Sequence, residues 1–291
     1  MPIANLTTML PALGVGLGYR SELRAGILAN RERVNFLEII TDNYLREPSD
    51  LAALEELCSL FPVIPHGVDL SIGSVMPPET SYLQAIKRVS DLTRAPYYSE
   101  HLCMTRVPGR DIGHLAPLWF TEELLQHVTD RVLRLQDFLG KPLVLENVTY
   151  TLEIPHSTLS QTEFFRRLVE TTGCGVLLDV TNVFINATNH HFDPDAFLSQ
   201  MPLDHLVQVH LAGGYWRHGW LVDGHSELVP PEIFALFGTL TSLCPVKNVL
   251  FEHDAHFPPF ADLLEQMDQA RGMLKRGEDA APLLEKKADE E

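Results

Sequence analysis

Cysteine is scarce in this 291-residue chain, and its four copies, Cys58, Cys103, Cys174 and Cys244, form no C-x-x-C pair. That scatter excludes a zinc ribbon, builds no disulfide framework and fits a reducing cytoplasm. No apolar run is long enough to span a bilayer, and the N-terminal MPIANLTTMLPALG lacks a basic stretch leading into an apolar one. Neither secretion nor a membrane association is expected. Positive charge is also short, with 22 Lys and Arg against 39 Asp and Glu, a net charge of −17. Tracking phosphates needs clustered cations, so no nucleic-acid partner is expected either. The segment GVGLGYR lacks the third glycine of a G-x-G-x-x-G loop. It reads as a close-packed first strand, and a nucleotide cofactor has no support.

What is present is an ordinary globular composition, 45% hydrophobic and 21% charged, enough for one large core. Short apolar runs alternate with longer helical patterns from end to end, the mark of a parallel sheet. The spacing predicts strands near Leu13–Gly18, Asn35–Ile39, Val63–His66, Tyr97–Glu100, Leu143–Glu146, Gly175–Asp179, Leu206–His210 and Asn248–Glu252. Eight units close a (β/α)₈ TIM-type barrel, so residues 1–274 are expected to form a single domain. The clearest helix is Thr121–Leu139, with Leu124, Leu125, Val128, Val132, Leu135 and Phe138 at helical spacing. Two long connections rich in Gly, His and Trp, 102–118 and 212–229, should shape the mouth. The charged segment 275–291 has no apolar periodicity and is expected to lack fixed structure.

Potential metal ligands stand at or just past the end of nearly every expected strand. FLEI ends in Glu38, IPHG in His66 and SEH in Glu100 and His101; LVLEN adds Glu146 and Asn147, and LLDVTN adds Asp179 and Asn182. VQVH ends in His210, the following DGH carries Asp223 and His225, and LFEHD carries Glu252, His253 and Asp254. In a barrel these ends converge on one face. Imidazole and carboxylate without thiolate suit iron, manganese or zinc, and carboxylates can bridge adjacent ions. A single ion uses three to six protein ligands at most, so this surplus points to two or three ions.

Each residue also has a plainer use. Asp179 is as well placed to cap the following helix as to bind an ion. Glu146 follows a buried run, where a carboxylate needs a cation, either metal or a basic side chain. His66 and His101 could be satisfied within polar loops. Glu38, Asn43, Glu100 and Asn147 are expected to orient ligands rather than bind. His114, His127, His156, His205 and His218 lie away from the strand ends and read as exposed or structural. Cys103 reads as a small buried residue.

Taken in order, GVGLGYR, FLEIITDNYL, IPHGVDLSIGS, SEHLC, LVLENV, LLDVTNV, NHHFD, VHLAGG and DGH resemble the multinuclear non-haem iron-dependent oxidases. The likeness runs from about Gly14 to Glu252. It implies a TIM-type barrel with two or three irons, mixed-valent when active, that uses dioxygen to modify a residue of a ribosomally made precursor peptide, cysteine in several members. Carried over, the metal positions are His66, His101, Glu146, Asp179, His210, Asp223, His225 and Glu252, with Asn182 beside them. Thr181 departs from the family's pattern, where many relatives have Asn. The resemblance further implies a partner protein that captures the precursor's leader peptide.

Two other classes compete. A redox-inert divalent-metal barrel, an isomerase or phosphoesterase, places the same residue types at strand ends. A phosphoesterase would want cations at the mouth, where the motifs offer Arg20, Arg106, Arg110 and Arg217. A non-catalytic iron-binding protein or scaffold would favour a surface site over a deep one.

Overall fold

The computed structural model describes residues 6–288, with side chains described for 6–277. Eight strands form its centre: β1 (Gly14–Gly18), β2 (Leu37–Ile40), β3 (Val63–Gly67), β4 (Tyr98–His101), β5 (Leu143–Glu146), β6 (Gly175–Asp179), β7 (Leu206–Leu211) and β8 (Asn248–Phe251). Every strand pairs in parallel with its neighbours in the chain, and β1 pairs with β8 to close the barrel. The (β/α)₈ expectation is met, with strand ends displaced by about two residues at most.

Strand alternation sorts side chains between two apolar regions. Leu37, Ile39, Leu143, Leu145, Leu178, Val209, Val249 and Phe251 face outward and pack in the large core with residues of the surrounding helices. Phe36, Ile64, Tyr97, Val144, Leu177 and Leu250 form a separate buried cluster. These are the inward positions, and they fill the lower half of the barrel. Two residues further along the same faces stand Glu38, His66, Glu146, Asp179 and Glu252. Period two therefore builds an apolar floor and a polar upper half from the same strands. β1 offers glycines inward, and a Cβ at Gly16 would lie 2.6 Å from the Phe36 ring. This bears out the close-packed reading of GVGLG.

The expected helix spans Glu122–Leu139, with the Thr121 hydroxyl accepting from the Leu124 N–H at 3.2 Å and Gly140 closing it at φ 72°. Leu139 takes the last buried position, whereas Phe138, one step round the helix, is 38% exposed. The two long connections fold as antiparallel hairpins, Met104–Ala116 after β4 and Gly213–Glu227 after β7. The final helix, Phe260–Ala288, continues into the charged segment 275–291, whose last residues, 289–291, lie outside the described part. No described helix is long and apolar enough to cross a membrane.

Candidate metal centre

β3, β4, β5 and β7 bring three imidazoles to one carboxylate. His66 Nε2 and His101 Nε2 lie 3.3 and 3.4 Å from Glu146 Oε2, and His210 Nδ1 lies 3.5 Å from Glu146 Oε1. Each ring is held by its other nitrogen. His66 Nδ1 meets Ser99 Oγ at 2.9 Å, His101 Nδ1 meets the Gly67 carbonyl at 3.0 Å, and His210 Nε2 meets Glu38 Oε1 at 3.1 Å. In the neutral rings, with those nitrogens carrying the proton, the lone pairs of His66 Nε2, His101 Nε2 and His210 Nδ1 are the ones that would face a cation. Glu38 is itself fixed from below: the Gln208 amide donates to Glu38 Oε2 at 2.6 Å and accepts from the Tyr97 hydroxyl at 2.5 Å.

Asp179 and Asn182 enter from the start of the helix Val180–His190. Asp179 Oδ1 caps that helix by accepting from the Asn182 N–H at 2.8 Å. Asn182 Nδ2 donates to the Asn147 carbonyl, and the Asn147 amide exchanges two hydrogen bonds with the Asp179 backbone, at 2.9 and 3.0 Å. Asn147 is thus a brace between β5 and β6. The second hairpin supplies the remaining pair: His225 Nε2 lies 2.7 Å from Asp223 Oδ1, and His225 Nδ1 is 3.3 Å from both Glu252 Oε2 and Asp254 Oδ2. His225 sits at φ 42°, a left-handed turn that aims its ring back at β8. Asp254 is also gripped by the Arg20 guanidinium.

Burial makes this crowding costly. It presses the His66 imidazole well below its ordinary pKa, and the neighbouring His101 and His210 add to that. Burial pushes His210 the same way, but Glu38, Glu252 and Glu146 outweigh it and hold that imidazole well above its usual value. Burial followed by the charge of Glu146 raises the Asp179 carboxyl well above the carboxylate range. Among the described residues, ten buried side-chain N and O atoms have no hydrogen-bond partner, and six of them belong here. They are Asp179 Oδ2 and Asn182 Oδ1, and four atoms that have only ion-pair contacts, Glu146 Oε2, His210 Nδ1, Asp223 Oδ1 and His225 Nε2. A buried polar atom without a partner is costly, and a bound cation would relieve several of these at once.

Two sets of donors are close enough to hold an ion each: His66, His101 and Glu146, and Glu146, Asp179, His210 and Glu252. Glu146 belongs to both, as a bridging carboxylate would. Asn182, Asp223 and His225, with His66, His101, Glu146 and Glu252 of these sets, line a cavity of about 310 Å³. Its wall includes Ile40, Val68, Leu115 and Val148 as well as Arg20.

Other residues singled out in the sequence fall elsewhere. Asn43 is exposed, because the 3-10 turn Thr41–Tyr44 turns Asp42 inward instead, where it accepts from the Val68 N–H and the Tyr82 hydroxyl. Glu100 lies behind His101, accepting from its N–H at 2.9 Å, and burial pushes its carboxyl up to about 7. His253 alternates away from the cavity that Glu252 lines. Cys103 is fully buried and belongs to neither donor set. Thr181 clasps Ala212, donating to its carbonyl and accepting from its N–H, so it joins helix to strand rather than facing the donors. Gln208, Tyr97 and Ser99 carry no motif. Their only signal is period two: each is an inward position two residues from another on the same strand.

The chain is 36% identical over 266 residues to a UPF0276 protein of Acaryochloris marina, covering 91% of this chain and 96% of that one. It is 37% identical over 259 residues to one from Anaeromyxobacter sp., covering 89% and 92%. Solved structures with the same fold include an L-ribulose 3-epimerase (TM-score 0.59, 15% identity, 93% and 97% covered) and a xylose isomerase domain protein from Planctomyces limnophilus (0.60, 13%, 92% and 99%). Identities that low show the barrel alone. A family model described as RiPP precursor modification enzyme MbnB/TglH/ChrH matches residues 14–275, and the chain therefore belongs to that family of enzymes that modify ribosomally made precursor peptides.

Proposed function

We propose that this protein is an iron-dependent oxidase that holds two or three irons and uses dioxygen to modify a residue, cysteine first among candidates, of a ribosomally made precursor peptide. The observation that carries the reading is the carboxylate Glu146, shared by both donor sets, together with the six buried site atoms that lack a hydrogen bond. His66, His101 and Glu146 would hold one ion and Glu146, Asp179, His210 and Glu252 a second, with Asn182, Asp223 and His225 completing the set or holding a third. Bound iron supplies the electrons for dioxygen and a Lewis acid toward a substrate thiol.

The chain's own residues do the rest. Glu38, Ser99 and the Gly67 carbonyl fix which nitrogen of each imidazole faces the centre. Arg20 and Asp254 hold His225 from the rim. Ile40, Val68, Leu115 and Val148 make part of the wall apolar, which limits water around a bound side chain. The cavity is the size of a small-ligand site and suits one peptide side chain. A leader-binding partner protein would present the precursor, and the cytoplasm is the compartment the free thiols suit.

The test is metal analysis of anaerobically purified protein, together with mass spectrometry of the small peptide encoded beside its gene after co-expression. Two or three irons per chain and an oxygen-dependent mass change are expected. One zinc per chain and no iron would overturn the oxidase reading in favour of a redox-inert barrel. Iron without any peptide mass change would point to a non-catalytic iron protein.

A further inference from the structure

All three tryptophans of the chain, Trp119, Trp216 and Trp220, are exposed, at 46, 64 and 40%. Each lies on a connection that follows a strand's C-terminal end, so all three are at the mouth of the barrel. Leaving so much apolar area in water is unfavourable, and large exposed apolar patches mark contact surfaces. The second hairpin concentrates the effect: its tip YWRHGW carries Tyr215, Trp216, Arg217 and Trp220, the residue types that dominate binding hot spots.

The tip is firmly held. Asn189 takes both backbone groups of Leu221, donating to its carbonyl at 2.9 Å and accepting from its N–H at 3.0 Å, and the Leu221 side chain is buried. Trp220 meets His190 edge to face, with ring centroids 5.9 Å apart, and His190 stacks on Tyr150 at 4.4 Å. The Asn189 and His190 of the NHHFD segment are thus the hairpin's support. A surface ordered before binding loses less entropy on binding.

We propose that this tip docks the precursor peptide itself, gripping the residues that flank the one entering the metal cavity. Apolar side chains of the peptide would lie against Trp216 and Trp220, and a carboxylate would meet Arg217. The inference rests on the proposed peptide-oxidase reading and names where its substrate is held. Continuity with the cavity argues for a peptide over a second copy of the chain. Trp220 and the cavity-lining Asp223 and Gly224 lie on one strand, three to four positions apart, roughly 10–14 Å at strand rise. An extended peptide with one side chain in the cavity therefore brings its own neighbours to the tip. Arg217 adds an exposed cation at the tip itself, which favours a carboxylate at that point of the peptide despite the chain's net charge of −17.

Because no tryptophan lies elsewhere, the metal-free, full-length protein reports on this surface by its own fluorescence. The probe is a synthetic copy of the peptide encoded beside the gene, titrated with and without the neighbouring partner protein. Wild-type emission should shift on binding, and Trp216→Ala and Arg217→Glu should each weaken the peptide at least tenfold while metal content stays at the wild-type value. In turnover they should raise KM more than they lower kcat. Unchanged peptide affinity in both variants, no peptide-dependent signal in the wild type, or loss of partner binding without loss of peptide binding would each overturn the docking assignment. The binding arm needs neither iron nor turnover, so a failed oxidase reading with intact, tip-dependent peptide binding is recognised as such.

Discussion

Asp179→Asn separates the observed use of that residue, helix cap, from its proposed one, metal ligand. Asn caps as well as Asp, and its Oδ1 can accept from the Asn182 N–H as Asp179 does at 2.8 Å. Side-chain volume is nearly unchanged, and the backbone bonds to Asn147 are untouched. What disappears is a carboxylate that burial and Glu146 already drive toward its protonated form. The metal-free variant should therefore be at least as stable as the wild type, since an acid whose pKa is raised by folding costs stability once it ionises. The metal-loaded variant should lose. Removing even a supporting partner lowers metal affinity about 10- to 100-fold, or roughly 1.4–2.7 kcal/mol per ion, and a direct ligand should cost no less. By linkage that stabilisation leaves the folded state when metal is in excess, a fall of roughly 3–10 °C in Tm for a domain near this size. The assay is thermal unfolding of chelator-treated protein and of anaerobic protein with excess ferrous iron, for both sequences. If the variant's metal-induced gain in Tm matches that of the wild type, Asp179 is only a cap and the ligand argument fails.

Glu38→Gln keeps a hydrogen-bond acceptor for His210 Nε2 but removes the charge beside it, so metal affinity by chelator competition should drop about 10- to 100-fold; an unchanged affinity would remove Glu38 from the site. Asn189→Ala deletes both side-chain bonds to Leu221, which should cost roughly 1–3 kcal/mol, speed amide exchange in 213–227 and lower the metal held through Asp223 and His225. Equal exchange rates in the two proteins would deny the clasp. Burial raises the Cys58 thiol to about 11, so at pH 8 only on the order of one molecule in a thousand carries the reactive thiolate. Its alkylation by iodoacetamide, followed by mass spectrometry, should quicken about tenfold per pH unit up to that pKa; a rate at pH 8 equal to that of free cysteine would refute the burial argument.

The barrel was legible because its signal is local and repeated. An apolar run such as LVLE needs only period two to place Leu143 and Leu145 on one side and Val144 and Glu146 on the other. The hairpins were not, since what pins them comes from distant parts of the chain: Ser71 Oγ accepts from the Thr105 and Arg106 N–H groups, and Asn189 takes Leu221. Local pattern does not resolve which residue of a 3-10 turn faces inward, and here it is Asp42, one step before Asn43. Gln208 escaped notice because a mid-strand glutamine has no motif, and its role depends on Tyr97, 111 positions away. His253 and Glu252 are adjacent and equally ligand-like in sequence, and only the strand's facing decides between them.

The same alternation explains how a fold can carry so many ionisable groups at its centre. The lower half of the barrel interior is closed by Phe36, Ile64, Tyr97, Val144, Leu177 and Leu250, and the outer faces of the strands pack against the helices. Those two apolar regions supply stability without help from the upper half. The polar layer can then hold more carboxylates and unpartnered donors than a metal-free interior would tolerate, since the floor beneath it does not depend on them. Tyr97 and Gln208 join the layers: they carry order from the apolar floor through Glu38 to the His210 ring by hydrogen bonds of 2.5 and 2.6 Å and an ion-pair contact of 3.1 Å. Under the proposed metal reading, the geometry of the donors is therefore inherited from the part of the barrel least dependent on a bound ion, as a preorganised site requires.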